Sequence, residues 1–174
     1  MMLRKLVAIA ACALAGGCSV LDSSRAIGPL DANAKWVMLP IANHTETPQA
    51  GLRAEAIAEG LLRAKGVKQL VRYPAQMSAE SSFEPSERKI QGEAQAWAKL
   101  QGAQYGISGA VDEWKYKVGV DGEPAVGMAL QIVDVQSGAV VWSAVGGQSG
   151  WSREALAAVA QKLIRGMLRD APIQ

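Results

Sequence analysis

Apolar residues in the first half of the chain recur at spacings that predict strands and helices in alternation. The short apolar runs at 36–41 and 67–73 have the length and composition of buried strands. Between them, apolar residues repeat at helical spacing. This helix is predicted to start at Thr47, a natural N-cap followed by Pro48, and to end at Gly66.

A second helix and three further strands are predicted in the rest of the chain. Residues 86–101 place their apolar side chains on one helical face, and 105–118, 125–135 and 139–145 are strand-like runs joined by turn sequences. A final helix is predicted to start at Ser152. The order β-α-β-α-β-β-β-α predicts an α/β (α+β) fold in a single domain, with helices packed on a mixed sheet of about five strands.

The start of the chain has the layout of a secretory signal. Two basic residues precede an apolar run at 6–15, which is too short to span a membrane as a helix. The small residues before Cys18 resemble a bacterial lipobox, although Ala15 stands where an aliphatic residue is usual. We therefore expect residues 1–17 to be a lipoprotein signal peptide and Cys18 to be lipidated. The alternative is an ordinary secreted protein that is cut near Ala15.

The segment after the signal is polar and has no period, so residues 18–33 are expected to be a flexible tether that leads to a domain at 34–174. Ser19 follows Cys18, and no Asp stands there to retain the protein at the inner membrane. By the sorting habits of bacterial lipoproteins, this resembles an outer-membrane protein anchored by its lipid and facing the periplasm.

Charge and cysteine content exclude some classes of protein. The chain has 18 basic and 16 acidic residues, and loss of the signal removes Arg4 and Lys5. The mature chain then has a net charge near zero, which argues against nucleic-acid binding because that function needs an excess of basic residues. The only cysteine besides Cys18 is Cys12, inside the signal, so the mature domain has no pair to form a disulfide.

The sequence offers little for catalysis. His44 is the only histidine, it lies in a polar loop, and no hydrolase, nucleotide-binding or metalloprotease motif occurs. A metal site needs several ligands, which one histidine and no free thiol in the mature chain do not supply. We therefore expect neither enzymatic activity nor a cofactor or metal.

Two pairs of carboxylates are candidates for a charge-based function. Asp112 and Glu113 are neighbours in a predicted strand, where strict alternation would put their side chains on opposite faces. Asp121 and Glu123 lie at the tip of the next hairpin. An Asp-Gly pair is typical of such turns, so the second pair is read either as a solvated turn or as an acidic patch.

Trp151 follows a glycine-rich segment and allows two interpretations. If Ser152 is the N-cap of the last helix, Trp151 and Leu156 have the spacing of a hydrophobic staple, which would make the indole structural. In a protein tethered to a bilayer, the indole could instead lie at the membrane–water interface, which tryptophan favours.

Several segments resemble known lipoproteins. The hairpin LQIVDVQSGAVVWS at 130–143 is similar to those of periplasmic lipoproteins with a domain like the N-terminal domain of TolB, including LpoB-like activators and CsgG-like secretion subunits. Together with WVMLPIANHTETPQAGLRAEAI at 36–57, SGAVDEWKYKVGVDGEP at 108–124 and GWS at 150–152, the chain resembles the PelC family. These are outer-membrane lipoproteins that export Pel, a biofilm exopolysaccharide.

The resemblance implies a ring of identical protomers, a dodecamer in the family, that guides a cationic polysaccharide to an outer-membrane β-barrel porin. It implies an acidic funnel built first from Asp121 and Glu123 and second from Asp112 and Glu113, with Trp151 against the membrane. The alternative function is an LpoB-like lipoprotein that docks on a cell-wall enzyme and regulates it. A large homo-oligomer would favour the export function.

Overall fold

A mixed sheet of six strands forms the centre of the structure, a computed structural model that describes residues 19–24, 28–74, 87–118 and 122–174. The strands are β1 (Ser19–Ser23), β2 (Lys35–Asn43), β3 (Gln69–Arg72), β4 (Tyr105–Tyr116), β5 (Pro124–Asp134) and β6 (Val140–Ser149). The helices of the described residues are α1 (Ala50–Ala64), α2 (Glu87–Leu100) and α3 (Leu156–Arg169). The predicted α/β fold, with helices packed on a mixed sheet, is confirmed.

The strands lie in the order β1-β6-β5-β4-β2-β3. β2 runs parallel to both β3 and β4, and these connections contain the helices α1 and α2. The remaining pairs are antiparallel, so β4, β5 and β6 form the predicted meander. This arrangement combines the helical crossovers that parallel strands require with the short hairpins that antiparallel strands allow.

The sheet divides the core into two parts, one on each of its faces. The larger part lies between the sheet and the helices α1 and α3, and its largest fully buried side chains include Trp36, Trp142 and Met128. A smaller part lies on the other face of the sheet, where α2 packs Ala94 and Ala98 against β2. Among the described residues, helical cover of the second face therefore extends over only part of its width.

The structure differs from the expected tether at residues 18–33. Ser19–Ser23 form β1, which pairs with β6 at the edge of the sheet, and Leu30 is buried and bridges to Ile173. The sheet thus has one strand more than expected. Every residue of β1 is exposed, and its only apolar residues, Val20 and Leu21, are too few to predict a strand from their pattern.

The predicted start of the first helix at Thr47 is wrong. α1 begins at Ala50, its N-cap is Gln49 in a left-handed conformation, and the hydroxyl of Thr47 donates instead to the carbonyl oxygen of Trp114. A Cβ atom at Gly51 would lie 2.1 Å from the carbonyl oxygen of Ile41, so the first turn of the helix needs a glycine to approach β2 this closely.

Candidate functional site

One end of the sheet brings together the N-terminal strand, a hairpin tip and the segment around Trp151. Ser19, the first residue of β1, lies opposite Gln148 of β6. Ala125, near the start of β5, lies opposite Ser149, and the amide of Gly150 donates to the carbonyl oxygen of Pro124 at 2.8 Å. We call this end, with residues 19–20, 116–118, 122–125 and 148–154, the distal end.

The β4–β5 hairpin ends at the distal end. Tyr116 pairs with Pro124, and the amide of Lys117 donates to the carbonyl oxygen of Glu123 at 2.7 Å. Glu123 is exposed, as expected for a residue of a hairpin tip. Asp121 lies outside the described residues. Val118, on the other arm, is fully exposed, so the hairpin presents both an apolar and an acidic side chain to solvent.

The hydrophobic-staple interpretation of Trp151 is wrong in its geometry. α3 begins at Leu156 with Ala155 as its N-cap, so Ser152 lies in the preceding turn and does not cap the helix. The residue before the N-cap of a staple is therefore Glu154, not Trp151. Trp151 is 57% exposed. The structure thus removes the specific reason for treating Trp151 as a staple.

The segment before Trp151 is tightly packed, whereas the sequence suggested a flexible approach. Gly146 and Gly147 belong to β6. A Cβ atom at Gly150 would lie 2.5 Å from a methyl carbon of Val159 and 2.6 Å from a carboxylate oxygen of Glu154. Glycine is required here by close packing, which holds the backbone that carries Trp151 in a defined position.

Glu154 organises the turn that carries Trp151, although no sequence motif marked it as a functional residue. Its Oε2 accepts from the backbone amide of Trp151 at 3.2 Å, and its Oε1 accepts from Nζ of Lys162 at 2.5 Å. The hydrogen bond from Lys162 is the main reason that the pKa of Glu154 is lowered. The signal that could have identified Glu154 is its position three residues after Trp151, together with a Lys eight residues further along the chain.

The turn is also joined to the hairpin by Tyr116. Its hydroxyl donates to the carbonyl oxygen of Glu154 at 3.3 Å and accepts from the amide of Leu156, the first residue of α3, at 3.1 Å. Lys117 adds a bond from Nζ to Oγ of Ser149 at 2.8 Å. These contacts hold the hairpin arm against the segment around Trp151, so the two candidate features form one surface.

Asp112 and Glu113 are not arranged as strict alternation predicts. The register between β4 and β5 shifts between Val111 and Glu113, and Val111 and Trp114 are both buried in the larger core. Asp112 and Glu113 therefore both lie outside that core, which corrects the expectation of opposite faces. A β-bulge of this kind adds one residue to a strand and re-aims the side chains beside it.

Both carboxylates already have partners. Oδ1 of Asp112 lies 3.0 Å from Nδ1 of His44, and Glu113 lies 3.5 Å from Nζ of Lys115. The other ring nitrogen of His44, Nε2, lies 2.9 Å from Oε2 of Glu87 at the start of α2. Asp112 is thus part of a carboxylate–imidazole–carboxylate cluster. The sequence did not predict this cluster.

His44 connects three elements of the fold: the end of β2, the bulge of β4 and the start of α2. Only the protonated ring can donate from both nitrogens. The hydrogen bonds to Glu87 and then to Asp112 raise the pKa of His44 above its usual value. The cluster therefore favours a positive charge between its two carboxylates.

Within the described ranges, no group of three or more His, Cys, Asp or Glu side chains could hold a metal ion. In the same part of the chain, none of the helices has both the length and the apolar character to cross a membrane. Cys18, the expected lipidation site, lies outside the described residues.

The domain defined by this fold has known relatives. Residues 39–146 match the family model described as "Peptidoglycan-synthase activator LpoB", and the chain belongs to this family of domains. A lipoprotein from Neisseria meningitidis has the same fold, with a TM-score of 0.58 and 14% identity over 78% of this chain and 96% of that chain. A comparison with curated proteins gave no match.

More particularly, the chain belongs to the PelC family. It is 40% identical to PelC from Paraburkholderia phytofirmans, which is described as a dodecamer, with a TM-score of 0.77 over 90% of this chain and 99% of that chain. A single-substitution variant of that protein, also a dodecamer, is 40% identical with a TM-score of 0.76 over 90% of this chain and 100% of that chain. The resemblance to PelC that the sequence suggested is confirmed.

Proposed function

We propose that this protein is a lipid-anchored export component of the outer membrane that assembles from identical copies and guides the cationic Pel polysaccharide through the periplasm. The observation that carries this proposal is the 40% identity to dodecameric PelC over nearly the whole described chain. A match at 40% identity over 90% of this chain is more than a shared fold.

The geometry of the distal end supports a membrane-facing role for it. Cys18 is bonded to Ser19, which lies at the edge of the sheet beside Gln148. A lipid on Cys18 would therefore leave the protein close to the exposed indole of Trp151. Tryptophan is enriched at membrane–water interfaces, where its ring is half in an apolar and half in a polar environment. We infer that the distal end rests on the periplasmic leaflet of the outer membrane.

The same orientation gives the acidic hairpin a function. Asp121 and Glu123 would lie near the membrane in every copy, and a ring of such carboxylates adds up where one alone is screened within about 10 Å. The polymer would meet this acidic zone immediately before a β-barrel porin. Asp112 and Glu113 are weaker candidates because His44 and Lys115 already partly neutralise them.

The alternative function is regulation of a cell-wall enzyme, which the matching family model names for its own members. In that case the protein would act by docking on an enzyme through one face, and assembly into a large oligomer would serve no purpose. The identity to dodecameric relatives favours export. Neither function makes this chain itself an enzyme, in agreement with the scarcity of candidate catalytic residues in its sequence.

The test is deletion of the gene followed by measurement of secreted and periplasmic Pel polymer and of peptidoglycan synthase activity. Loss of secreted polymer with unchanged synthase activity, restored by the intact gene, is the expected result. A Cys18→Ser variant should restore little secretion because it lacks the anchor. Normal secretion in the deletion strain, with reduced synthase activity, would establish the regulatory function instead.

A further inference from the structure

The second face of the sheet is only partly covered within the described residues. α1 and α3 pack on the first face, whereas α2 packs on the second face over β2 and reaches β5 only near Val133. The same face of β5, β6 and β1, and of the adjoining part of β4, has no described helix over it. We call this area the open sheet face.

Rows of directly opposed residues define the open sheet face. They are Ser108, Gln131 and Ser143; then Ala110, Ala129, Val145 and Asp22; and then Glu113, Gly127, Gly147 and Val20. A shallow cleft of about 300 Å³ runs between the first two rows and the start of α2, which contributes Glu87 and Gln91 to its wall.

The centre of the open sheet face is apolar and flat. Ala110, Ala129, Gly127 and Gly147 present little or no side chain, and Val145 and Val20 are 52% and 69% exposed. The face of a sheet that is exposed to solvent normally carries polar residues, often with long or charged side chains. Small apolar residues in this position instead let another backbone or helix approach closely.

Size separates an incidental patch from a docking surface. Four strands spaced about 4.8 Å apart and about six residues long give an area on the order of 400 Å². Only the central residues of this area are apolar, and its first row and its borders are polar. The whole face, with its polar border, is as large as the surface patches that are frequently binding sites. It is about half of the roughly 800 Å² that each partner contributes to a stable pairwise interface.

The relatives suggest the occupant. Because the PelC relatives at 40% identity are dodecamers, the partner that these relatives support is a second copy of this chain. If every copy turns its distal end to the same membrane, copies can meet only through surfaces that run along the strands, and the open sheet face is one of these. Closed rings use two different surfaces of each copy, so the face must meet something other than itself.

Charge points to the opposing surface. α3 contains Lys162, Arg165 and Arg169 and no acidic residue, and it lies on the opposite side of the sheet. Lys162 is paired with Glu154, so Arg165 and Arg169, the second of which is followed by the exposed Asp170, are the other exposed cations of α3. The open sheet face carries the exposed Asp22 on β1 at one border, and at the other border Glu113 on β4, which Lys115 partly neutralises.

We propose that the open sheet face is the contact surface between copies of this chain, and that it packs against the basic outer side of α3 of the next copy. The proposal deepens the proposed function, on which it rests for self-association. The modest area implies weak association of two isolated copies and strong association only when the ring closes, because each copy then contributes two contacts.

The test measures the mass of the full lipidated chain, extracted from membranes in mild detergent, by mass photometry. Val145→Arg places a long cation in the middle of the open sheet face, at a residue whose side chain is mostly in solvent. Arg165→Glu reverses the charge on α3. Leu100→Arg is the matched control, because Leu100 is an apolar residue at the end of α2 that is 84% exposed.

We expect the wild type and Leu100→Arg to have the mass of many copies, and Val145→Arg and Arg165→Glu to fall to one or a few copies with unchanged melting temperatures. An unchanged mass for either of these two variants overturns the proposal. A lower melting temperature of Val145→Arg at unchanged mass also overturns it, since a segment of the same chain would then cover the face. A single-copy wild type would refute self-association itself, and with it the proposed function.

Discussion

Ser19 of β1 lies directly opposite Gln148 of β6, three residues before Trp151. This single pairing connects two features that are 133 residues apart in the chain, the expected lipid attachment at Cys18 and the exposed indole of Trp151. If Cys18 is lipidated and the indole enters the membrane, as proposed, the protein has two membrane contacts at its distal end. Two contacts restrict the orientation of a protein more than one contact at the end of a long tether.

Replacement of Trp151 by Ala should weaken membrane association and leave the fold intact. The side chain is 57% exposed and α3 starts five residues later, so we expect a stability change within about 1 kcal/mol. Membrane binding should fall several-fold when it is measured by co-sedimentation with vesicles of outer-membrane lipids. The measurement is best made in a Cys18→Ser background, where the lipid does not mask the contribution of the indole.

Leu100→Ala serves as the control for Trp151→Ala. It also removes an exposed apolar side chain, but at the end of α2 and away from the distal end, so vesicle binding should not change. A large fall in the melting temperature of Trp151→Ala with unchanged vesicle binding would mean that the indole is structural after all.

Charge reversal at the hairpin tip should reduce polymer export. We expect Asp121→Lys combined with Glu123→Lys to lower secreted Pel several-fold, because a cationic polymer would then meet a ring of positive charge. Glu123 is exposed, so protein stability should change by no more than about 0.5 kcal/mol. Glu93→Lys on the exposed side of α2 is the matched control and should secrete normally. Wild-type secretion by the double variant would remove the acidic-funnel mechanism.

The sequence predicted the parts of the fold that depend on apolar periodicity. The helices and the strands β2 to β6 were located because their buried residues repeat at helical or strand spacing. β1 was missed because Ser19–Ser23 is exposed, has only two adjacent apolar residues and pairs with β6 through backbone bonds that no side-chain pattern records. The predicted start of α1 was wrong because Thr47 bonds to Trp114, and Gln49 is the N-cap. The predicted start of α3 was wrong because Ser152 lies in a turn, and Ala155 is the N-cap.

The sequence could predict the individual residues of the candidate site, but not that they lie together on one surface. Trp151 and the hairpin were each noticed, but their proximity depends on the register Ala125 to Ser149, which local sequence does not encode. The bulge beside Val111 likewise turned an expected alternation into two outward carboxylates. The partners Glu154 and His44 were missed as site components because their bonds join residues far apart in the chain, or join a turn to a helix.

Protein stability should depend on pH through His44. The pKa of His44 is raised in the folded state above the usual 6.5 by hydrogen bonds to Glu87 and Asp112. The stabilisation is therefore fully present below pH 6.5 and is lost as the pH rises through the folded pKa. We expect the melting temperature to fall over this range relative to a His44→Gln variant, whose profile should be flat there.

The assignment to His44 is unambiguous because it is the only histidine. Its titration can be followed directly by NMR of the imidazole protons. Glu87→Gln should lower the pKa of His44 part of the way to its usual value. All three side chains are largely exposed, so the effect on stability will be small, as for other surface ion pairs. A folded-state pKa at or below that of a free histidine would show that the cluster does not form in solution.

Glu55 offers a second pH-dependent prediction, in the core of the fold. The side chain is 5% exposed, and its Oε1 accepts from the amide of Ile41 at 3.0 Å, beside the irregular register of β2 and β4. Burial raises the pKa of Glu55, against the opposing effect of the Ile41 hydrogen bond. A raised carboxyl pKa means that stability is greatest below the usual 4.5 and decreases as the pH rises through the folded pKa.

A Glu55→Gln variant separates the hydrogen bond from the charge. Glutamine keeps an oxygen that can accept from Ile41 and removes the cost of a buried charge, so at pH 7 we expect the variant to equal or exceed the wild type by up to about 1 kcal/mol. Glu55→Leu leaves the amide of Ile41 without its acceptor and should cost about 1–3 kcal/mol. Urea unfolding at pH 7 and pH 4 measures both effects, and the advantage of glutamine should shrink at the lower pH. A Glu55→Gln variant that is destabilised as much as Glu55→Leu would mean that the ionised carboxylate itself is needed at this position.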